Sequence, residues 1–259
     1  MPFLALTQYG LHYRVDGLAD RPWLTLCNSI GTDLHMWDDQ IDVLGQHFRI
    51  LRYDCRGHAR SIAPPPPWTI ANLGHDVLAL FDVLGIERTH FCGLSLGGLV
   101  GQWLALQAPQ RIGRMIVCST AAKIGSTEAW RARIAQLREH GLDGIAAATP
   151  SRWFTDAFTE THPARIQALV APLRAMPPEI YAAFCEVLIA TDFRHDLSEI
   201  AAPLLAIAGS DDTTTPPVDL RFIAEHVKNG RYLELPGRHL TNVESAPAFT
   251  RAVHDFLHS

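Results

Sequence analysis

The sequence contains little that would suit it to a membrane or to nucleic acid. Its apolar stretches stay shorter than the roughly 20 residues that a transmembrane helix needs. Lysine and arginine together number 22 against 27 aspartates and glutamates, which gives a formal net charge of −5. No basic run is long enough to follow a phosphate backbone. We therefore expect neither a nucleic-acid partner nor a membrane partner.

Cysteine is scarce as well. The 259 residues include five cysteines, an odd number with no paired spacing, which argues against a disulfide framework. Cys27, Cys92 and Cys118 fall in apolar, strand-like runs, where a thiol usually behaves as a small buried hydrophobe. The opening MPFLALTQYG lacks the basic region and the long apolar core of a signal peptide. Together these features predict a cytoplasmic protein.

The sequence does contain a regular alternation of strand-like and helix-like segments. Hydrophobic residues make up 47% of the chain, which is typical of a folded domain. Strands are predicted at 3–9 and 11–17 as a hairpin, and at 23–28, 47–54, 89–95, 112–119, 203–210 and 231–237. Helices are predicted at 71–85, with Gly85 as the residue that ends the helix, from 96 to near Pro109, at 217–228 and at 245–258. This alternation predicts an α/β fold with a mostly parallel sheet and helices on both faces.

The stretch from 121 to 200 interrupts this alternation. It contains several segments with helical periodicity, two of which open with proline, a favourable first residue of a helix, and it contains no strand pattern. We interpret it as an inserted helical cap. The predicted organisation is a core domain made of residues 1–120 and 201–259, with residues 121–200 as the cap.

A candidate nucleophile lies between a predicted strand and a predicted helix. Gly93-Leu94-Ser95-Leu96-Gly97 matches the pattern G-x-S-x-G, in which a sharp turn exposes the serine at the end of a strand. The small residues let the strand and the helix pass closely, and the N-terminus of the helix directs free N–H groups at the reacting centre. A glycine-rich turn with an incidental serine is the alternative, but the strand-to-helix context favours Ser95 as nucleophile.

The partners of such a serine are expected in the order acid, then histidine. Of the 13 histidines, His239 alone follows the last predicted strand in a loop, so it is the best general base. His254 and His258 are spaced to hold a metal, but a solvated pair is the preferred interpretation and no metal site is predicted. Asp212, just after the strand at 203–210, is the favoured acid, and Asp211 is the alternative acid or a loop cap.

Hydrolysis of an ester also needs N–H donors for the oxygen that becomes negative in the transition state. The N–H of Leu96, directly after Ser95, is one candidate. The second is expected from the loop after the strand at 23–28, and we assign it to the N–H of Ile30.

With these residues in place, the chain resembles the α/β-hydrolases along its whole length. More narrowly, it resembles the 3-oxoadipate enol-lactonases of bacterial aromatic catabolism. The segments that carry this resemblance are Asn28-Ser29-Ile30-Gly31-Thr32-Asp33 with Met36-Trp37, Tyr53-Asp54-Cys55-Arg56-Gly57-His58, Gly93 to Gly98, Gly209 to Pro217, and His239-Leu240-Thr241-Asn242-Val243-Glu244. The first of these segments discriminates best, because most relatives have His-Gly there. Two positions depart from the pattern: Ala59, where glycine is frequent, and Arg238, where a small residue is common.

The resemblance implies a lactone hydrolase that needs no cofactor and no metal and that takes a small lactone or ester as substrate. The substrate carboxylate would meet a cation, for which the cap arginines Arg131, Arg133 and Arg152 are candidates. Candidates for the pocket lining are Trp130, Arg133, Trp153 and Met176, with Phe154 and Phe184, although packing between cap helices would explain the apolar ones equally well.

Several other functions would use the same fold. A general carboxylesterase or a perhydrolase-type enzyme would share every catalytic residue, and the triad alone also permits a carbon–carbon bond hydrolase. A haloalkane dehalogenase is disfavoured because Ser95 stands where that enzyme has aspartate. A non-enzymatic receptor is disfavoured because all three triad positions are filled.

Overall fold

The computed structural model describes residues 2–5 and 9–259, and at its centre lies a single eight-stranded sheet. The strands are β1 (Phe3–Ala5), β2 (Gly10–Gly17), β3 (Trp23–Cys27), β4 (Arg49–Tyr53), β5 (Thr89–Leu94), β6 (Ile112–Cys118), β7 (Leu204–Gly209) and β8 (Gly230–Leu235). Their spatial order is β1-β2-β4-β3-β5-β6-β7-β8. Strands β1 and β2 pair antiparallel, β2 pairs antiparallel with β4, and β3 to β8 all run parallel to one another. All eight predicted strands are present, and residues 6–8, which fall within the first predicted strand at 3–9, lie outside the described residues.

The central strands are buried on both faces, as their continuous apolar runs predict. Consecutive residues of a strand point to opposite faces, and they enter two separate apolar clusters here. Phe91 and Val117 belong to the first cluster, while their neighbours Cys92 and Ile116 belong to the second. The sheet is therefore the middle layer between two hydrophobic cores.

Helices cover both faces of this sheet. They are α1 (Asp38–Leu44), α2 (Ile70–Leu84), α3 (Leu96–Gln107), α4 (Thr127–His140), α5 (Asp143–Trp153), α6 (Asp156–Thr161), α7 (Pro163–Ala175), α8 (Pro178–Ala190), α9 (Pro217–His226), α10 (Thr241–Glu244) and α11 (Ala246–His258). Helix α2 begins at a capping box of Thr69 and Asn72 and ends at Gly85, whose φ of 65° is left-handed, so the predicted glycine stop is confirmed. The predicted helix at 245–258 is confirmed as α11, and the short helix α10, which ends just before Ser245, is an element that the sequence does not predict.

Five helices, α4 to α8, occupy the connection between β6 and β7; we call them the inserted helices. Residues 121–200 are all described and contain no strand. Pro163 and Pro178 occupy the first turns of α7 and α8, where the missing proline N–H costs nothing.

The topology sets where a site can form. Strands β3, β5, β7 and β8 are parallel members of one sheet, so their carboxyl ends lie at the same edge. Within the described residues, no helix has the length and apolar character needed to cross a membrane.

Candidate active site

Ser95 lies in the sharp turn between β5 and α3. Its φ of 57° and ψ of −114° are strained for a residue with a side chain, as expected of a nucleophile held at a strand-to-helix turn. A Cβ on Gly93 would lie 2.1 Å from the carbonyl oxygen of Gly97, and a Cβ on Gly97 would lie 2.3 Å from the carbonyl oxygen of Cys27. Glycine is therefore required on both sides of Ser95, because the helix starts against the strands with no room for a methyl group.

His239 follows β8 and contacts Asp212, which follows β7. The Nδ1 atom of His239 lies 2.8 Å from Oδ2 of Asp212, and both side chains are buried. An imidazole that donates its Nδ1–H to a carboxylate leaves Nε2 free to accept a proton from a nucleophile. The structure therefore pairs the predicted base with the predicted acid.

The carboxylate of Asp212 is held by further donors. Its Oδ1 accepts hydrogen bonds from the N–H groups of Thr214 at 2.8 Å and Thr215 at 3.2 Å, and Oδ2 accepts one from the Thr215 hydroxyl at 2.7 Å. Burial alone raises the pKa of Asp212, but the charge and hydrogen bond of His239 and the hydrogen bonds of Thr215 lower it below the ordinary value overall. The acid is thus held ionised beside His239.

Asp211 has a different environment. Its side chain is exposed and accepts a hydrogen bond from the neighbouring Ser210 hydroxyl at 2.7 Å, and its N–H donates to the carbonyl of Gly237 at 2.9 Å. This is the loop-capping geometry that was the alternative role for Asp211.

Two backbone N–H groups near Ser95 have no acceptor within the described part of the chain, those of Leu96 and Ile30. Leu96 is the first residue of α3, where no intrahelical acceptor exists. The loop that contains Ile30 is tied down on either side, since Gly97 donates its N–H to the carbonyl of Asn28 at 3.1 Å and Gly31 donates its N–H to Nε2 of His58 at 2.9 Å. Two fixed, free donors are what an oxyanion hole requires.

Ser95, His239 and Ile30 share an enclosed cavity at the carboxyl edge of the sheet. The inserted helices contribute much of its lining. Beside those three residues the lining consists of Ser29, Ile124, Trp130, Arg133, Thr149, Arg152, Trp153, Leu173, Tyr181, Leu188 and Thr214. Trp130, Arg133 and Trp153, three of the four predicted pocket residues, are therefore brought to the same space as Ser95.

The two arginines of this cavity, Arg133 and Arg152, have no counter-ion among the described residues. No carboxylate of the described residues lies within 4.0 Å of the guanidinium of Arg133 or of Arg152. The Nε atom of Arg152 and the hydroxyl of Ser29 are buried and have no hydrogen-bond partner in the part of the chain that the structure describes, although an Nη atom of Arg152 lies 3.4 Å from the Thr149 hydroxyl. A buried polar group without a partner costs free energy, and a polar, anionic ligand would remove that cost by pairing with these groups. The cavity therefore suits such a ligand.

The remaining candidates from the cap lie elsewhere. Met176 is buried in an apolar cluster with residues of the inserted helices and does not line the cavity. Phe154 stacks on Phe158 with ring centroids 5.2 Å apart, and Phe184 packs against Trp68. Arg131 is exposed. For these residues the structure favours packing or solvation, because helical periodicity alone does not distinguish a pocket wall from the contact between two helices.

The two departures from the family pattern both have structural consequences. Ala59 has a φ of 44°, a left-handed conformation that glycine adopts without strain. Arg238, next to His239, donates hydrogen bonds from Nη1 to the carbonyl oxygens of Ser151 at 2.6 Å and Phe154 at 2.9 Å. The arginine thereby connects the histidine loop to the end of helix α5.

Sequence reasoning missed several residues that shape the site. The sequence presents His58 only within a family motif, yet it is the acceptor that holds Gly31. Thr215, which supports Asp212, and Tyr181, which lines the cavity, are not among the predicted site residues. The Thr-Pro after the acid carried a weak signal for Thr215, whereas nothing local marks Tyr181, because only the packing of α8 brings it to Ser95.

The fold and the site define a class of protein, and comparison with known proteins agrees. The alpha/beta hydrolase fold family matches residues 22–246, so the chain belongs to that family. Over 250 residues the chain is 43% identical to 3-oxoadipate enol-lactonase 2 of Acinetobacter baylyi, covering 96% of this chain and 94% of that protein.

Solved structures give the same result. An enol-lactonase from Burkholderia xenovorans has a TM-score of 0.97 and 43% identity, with 100% of each chain covered. A hydrolase from Pseudomonas aeruginosa has a TM-score of 0.95 and 45% identity, covering 100% of this chain and 98% of that one. The predicted α/β-hydrolase fold and the resemblance to 3-oxoadipate enol-lactonases are confirmed, and the protein is a hydrolase.

Proposed function

We propose that the protein is a serine hydrolase that opens 3-oxoadipate enol-lactone to 3-oxoadipate. The observation that carries this proposal is the cavity at the carboxyl edge of the sheet, which joins Ser95, His239 and the loop of Ile30 to two arginines that form no ion pair with any described residue. A lactone that bears a carboxylate needs both an acyl-transfer site and a cation. The relatives named 3-oxoadipate enol-lactonase support the same substrate.

In this mechanism Ser95 Oγ attacks the lactone carbonyl while Nε2 of His239 takes the serine proton. The N–H groups of Leu96 and Ile30 bind the oxyanion of the tetrahedral intermediate. Collapse of that intermediate breaks the ring C–O bond and releases an enolate oxygen, which takes the proton from His239. The opened chain remains attached to Ser95 as an ester.

Deacylation uses the same groups, with water as the nucleophile and Ser95 as the leaving group. Water loses a proton to His239, attacks the acyl carbon and forms a second tetrahedral intermediate, and Ser95 leaves with the proton that His239 returns. The released enol then becomes the ketone. Asp212 holds the His239 tautomer and stabilises the imidazolium in both halves.

The substrate carboxylate is proposed to bind between Arg152 and Arg133. Arginine suits a carboxylate because its planar fork offers parallel N–H donors. The Nε of Arg152 and the hydroxyl of Ser29, which are buried without a partner among the described residues, are the donors that we propose for hydrogen bonds to this carboxylate. Because both arginines lie on the inserted helices, we propose that residues 121–200 act as a substrate-selecting cap on a core of residues 1–120 and 201–259.

The state of the cysteines favours a reducing compartment. All five cysteines are free and buried, and the Sγ atoms of Cys92 and Cys118 lie 3.8 Å apart without a bond. Thiols so placed favour the cytoplasm as the site of action. The partner that we propose is a small lactone or ester rather than nucleic acid or a membrane.

The test is kcat/KM for 3-oxoadipate enol-lactone against p-nitrophenyl acetate, with Ser95→Ala as control. We expect a large preference for the lactone that Ser95→Ala abolishes. High ester turnover with little lactone activity would leave a general carboxylesterase and overturn the substrate assignment. Activity that survives in Ser95→Ala would overturn the nucleophile.

A further inference from the structure

Three histidines that the proposed function does not use meet on one surface of the molecule. His47 lies between α1 and β4, two residues before the strand begins, while His254 and His258 lie one turn apart on α11. The sequence places the helical pair together, but only the fold brings His47 beside it. Because His47 lies before the start of β4, and Ser95 lies after the end of β5, the cluster and the active site are at opposite edges of the parallel part of the sheet.

The geometry of the cluster is close to that of a metal site. One ring nitrogen of each histidine lies within 4.8 Å of a ring nitrogen of each of the others. The ring centroids of His47 and His254 are 4.6 Å apart, those of His47 and His258 are 5.4 Å apart, and those of His254 and His258 are 4.2 Å apart. Ligands at about 2.0–2.1 Å from a tetrahedral Zn²⁺ are separated by roughly 3.3 Å, so movements of about 1 Å by these accessible side chains would complete the site.

Hydrogen bonds set the two helical histidines in the form that binds a metal. Nδ1 of His258 lies 2.8 Å from the carbonyl oxygen of His254, and Nδ1 of His254 lies 3.1 Å from a carboxylate oxygen of Asp255. A ring nitrogen beside an oxygen acceptor carries the proton, which leaves the lone pair on Nε2 of both rings. Histidines that ligate metals commonly donate their other N–H to a carboxylate or a backbone carbonyl in this way.

We propose that His47, His254 and His258 form a binding site for a divalent transition-metal ion such as Zn²⁺, with water as the remaining ligand. Imidazole nitrogen is a preferred ligand of Zn²⁺, Ni²⁺ and Cu²⁺, and the three donors come from two distant parts of the chain. A bound ion would therefore fasten helix α11 to the segment before β4. The consequence is structural: metal binding would stabilise the fold without entering the reaction at Ser95.

The experiment is calorimetric titration of the full chain, purified without a polyhistidine tag, with ZnCl₂. The variants are His47→Ala and His254→Ala, and the matched control is His226→Ala, an exposed histidine on α9 outside the cluster. We expect one equivalent to bind to the wild type and to His226→Ala, and at least tenfold weaker binding in both cluster variants. Absence of binding to the wild type, or equal affinity in His47→Ala and His226→Ala, would overturn the three-histidine site.

Two measurements on the unaltered protein protect the test against a variant that fails to fold. Stoichiometric Cu²⁺ should give an electron paramagnetic resonance spectrum with hyperfine coupling to three imidazole nitrogens, and a spectrum with two or fewer would count against the site. Zn²⁺ at 100 times its dissociation constant should raise Tm by roughly 5–10 °C. An unchanged Tm would contradict the stabilising role.

Discussion

Nε2 of His58 accepts a hydrogen bond from the N–H of Gly31 at 2.9 Å, and this contact fixes the loop that holds the Ile30 donor. Nδ1 of His58 lies 3.2 Å from the carbonyl oxygen of Arg56, so the ring donates there and accepts at Nε2. Only the neutral ring can do both. Burial lowers the pKa of His58 to about 4, which keeps the ring neutral at physiological pH.

This relationship predicts a pH dependence of stability. The folded state depresses the pKa of His58 from 6.5 to about 4. The neutral ring makes its full contribution to the free energy of unfolding above pH 6.5. That contribution is lost as the pH falls from 6.5 towards 4, by up to about 3 kcal/mol. Urea unfolding over this pH range should show that the free energy of unfolding falls more steeply with decreasing pH in the wild type than in His58→Gln. The exposed control His226→Gln should keep the wild-type slope, and equal slopes in all three proteins would contradict the assignment.

The two neighbouring aspartates should differ sharply in their effect on activity. Asp212→Asn removes the carboxylate that holds the His239 tautomer, and we expect kcat to fall roughly 10³–10⁴-fold. Asp211→Asn changes an exposed loop residue, so its kcat should stay within a few-fold of the wild type. Steady-state rates with p-nitrophenyl acetate measure both. A large loss in Asp211→Asn, or a small one in Asp212→Asn, would reverse the assignment of the acid.

The cavity arginines should control affinity for the lactone rather than the chemistry of acyl transfer. A charged hydrogen bond is worth about 1.5–3 kcal/mol, so Arg152→Met and Arg133→Met should each raise KM for the lactone roughly 10–100-fold. Turnover of p-nitrophenyl acetate, which has no carboxylate, should change little. The matched control is Arg131→Met, which removes an exposed arginine from the same helix as Arg133. A similar rise of KM in the control would show that general charge, and not the cavity, is responsible.

The left-handed backbone at Ala59 predicts a stabilising substitution. A side chain at positive φ destabilises the folded state by roughly 1–2 kcal/mol. A new glycine costs about 0.4–1 kcal/mol of stability, because it increases the conformational entropy of the unfolded chain. Ala59→Gly should therefore raise the free energy of unfolding by about 0.5–1 kcal/mol, measured by urea denaturation. Ala63→Gly, at a nearby residue without positive φ, should lower it. Destabilisation by Ala59→Gly would show that the alanine methyl group contributes packing that outweighs the strain.

Much of the fold is predictable from local pattern. The apolar runs of β3 to β7 are confirmed because strands buried on both faces leave a continuous hydrophobic signature, and Gly85 is confirmed as the end of α2. The helix predicted at 245–258 is confirmed as α11, but the four-residue helix α10 just before it is not predicted. A helix of about one turn is too short to show helical periodicity, so the sequence alone does not locate it.

The sequence by itself determined the strand and helix alternation and the serine turn, because each depends on neighbouring residues: burial pattern, glycine spacing and the order of elements. Only the tertiary structure decided which side chains meet. It selects Asp212 over Asp211 as the partner of His239, brings Arg152 to the cavity, excludes Met176 and places His47 beside α11. The physical reason is that these contacts join residues distant in sequence, and their distances depend on how helices pack against the sheet, which local periodicity does not encode.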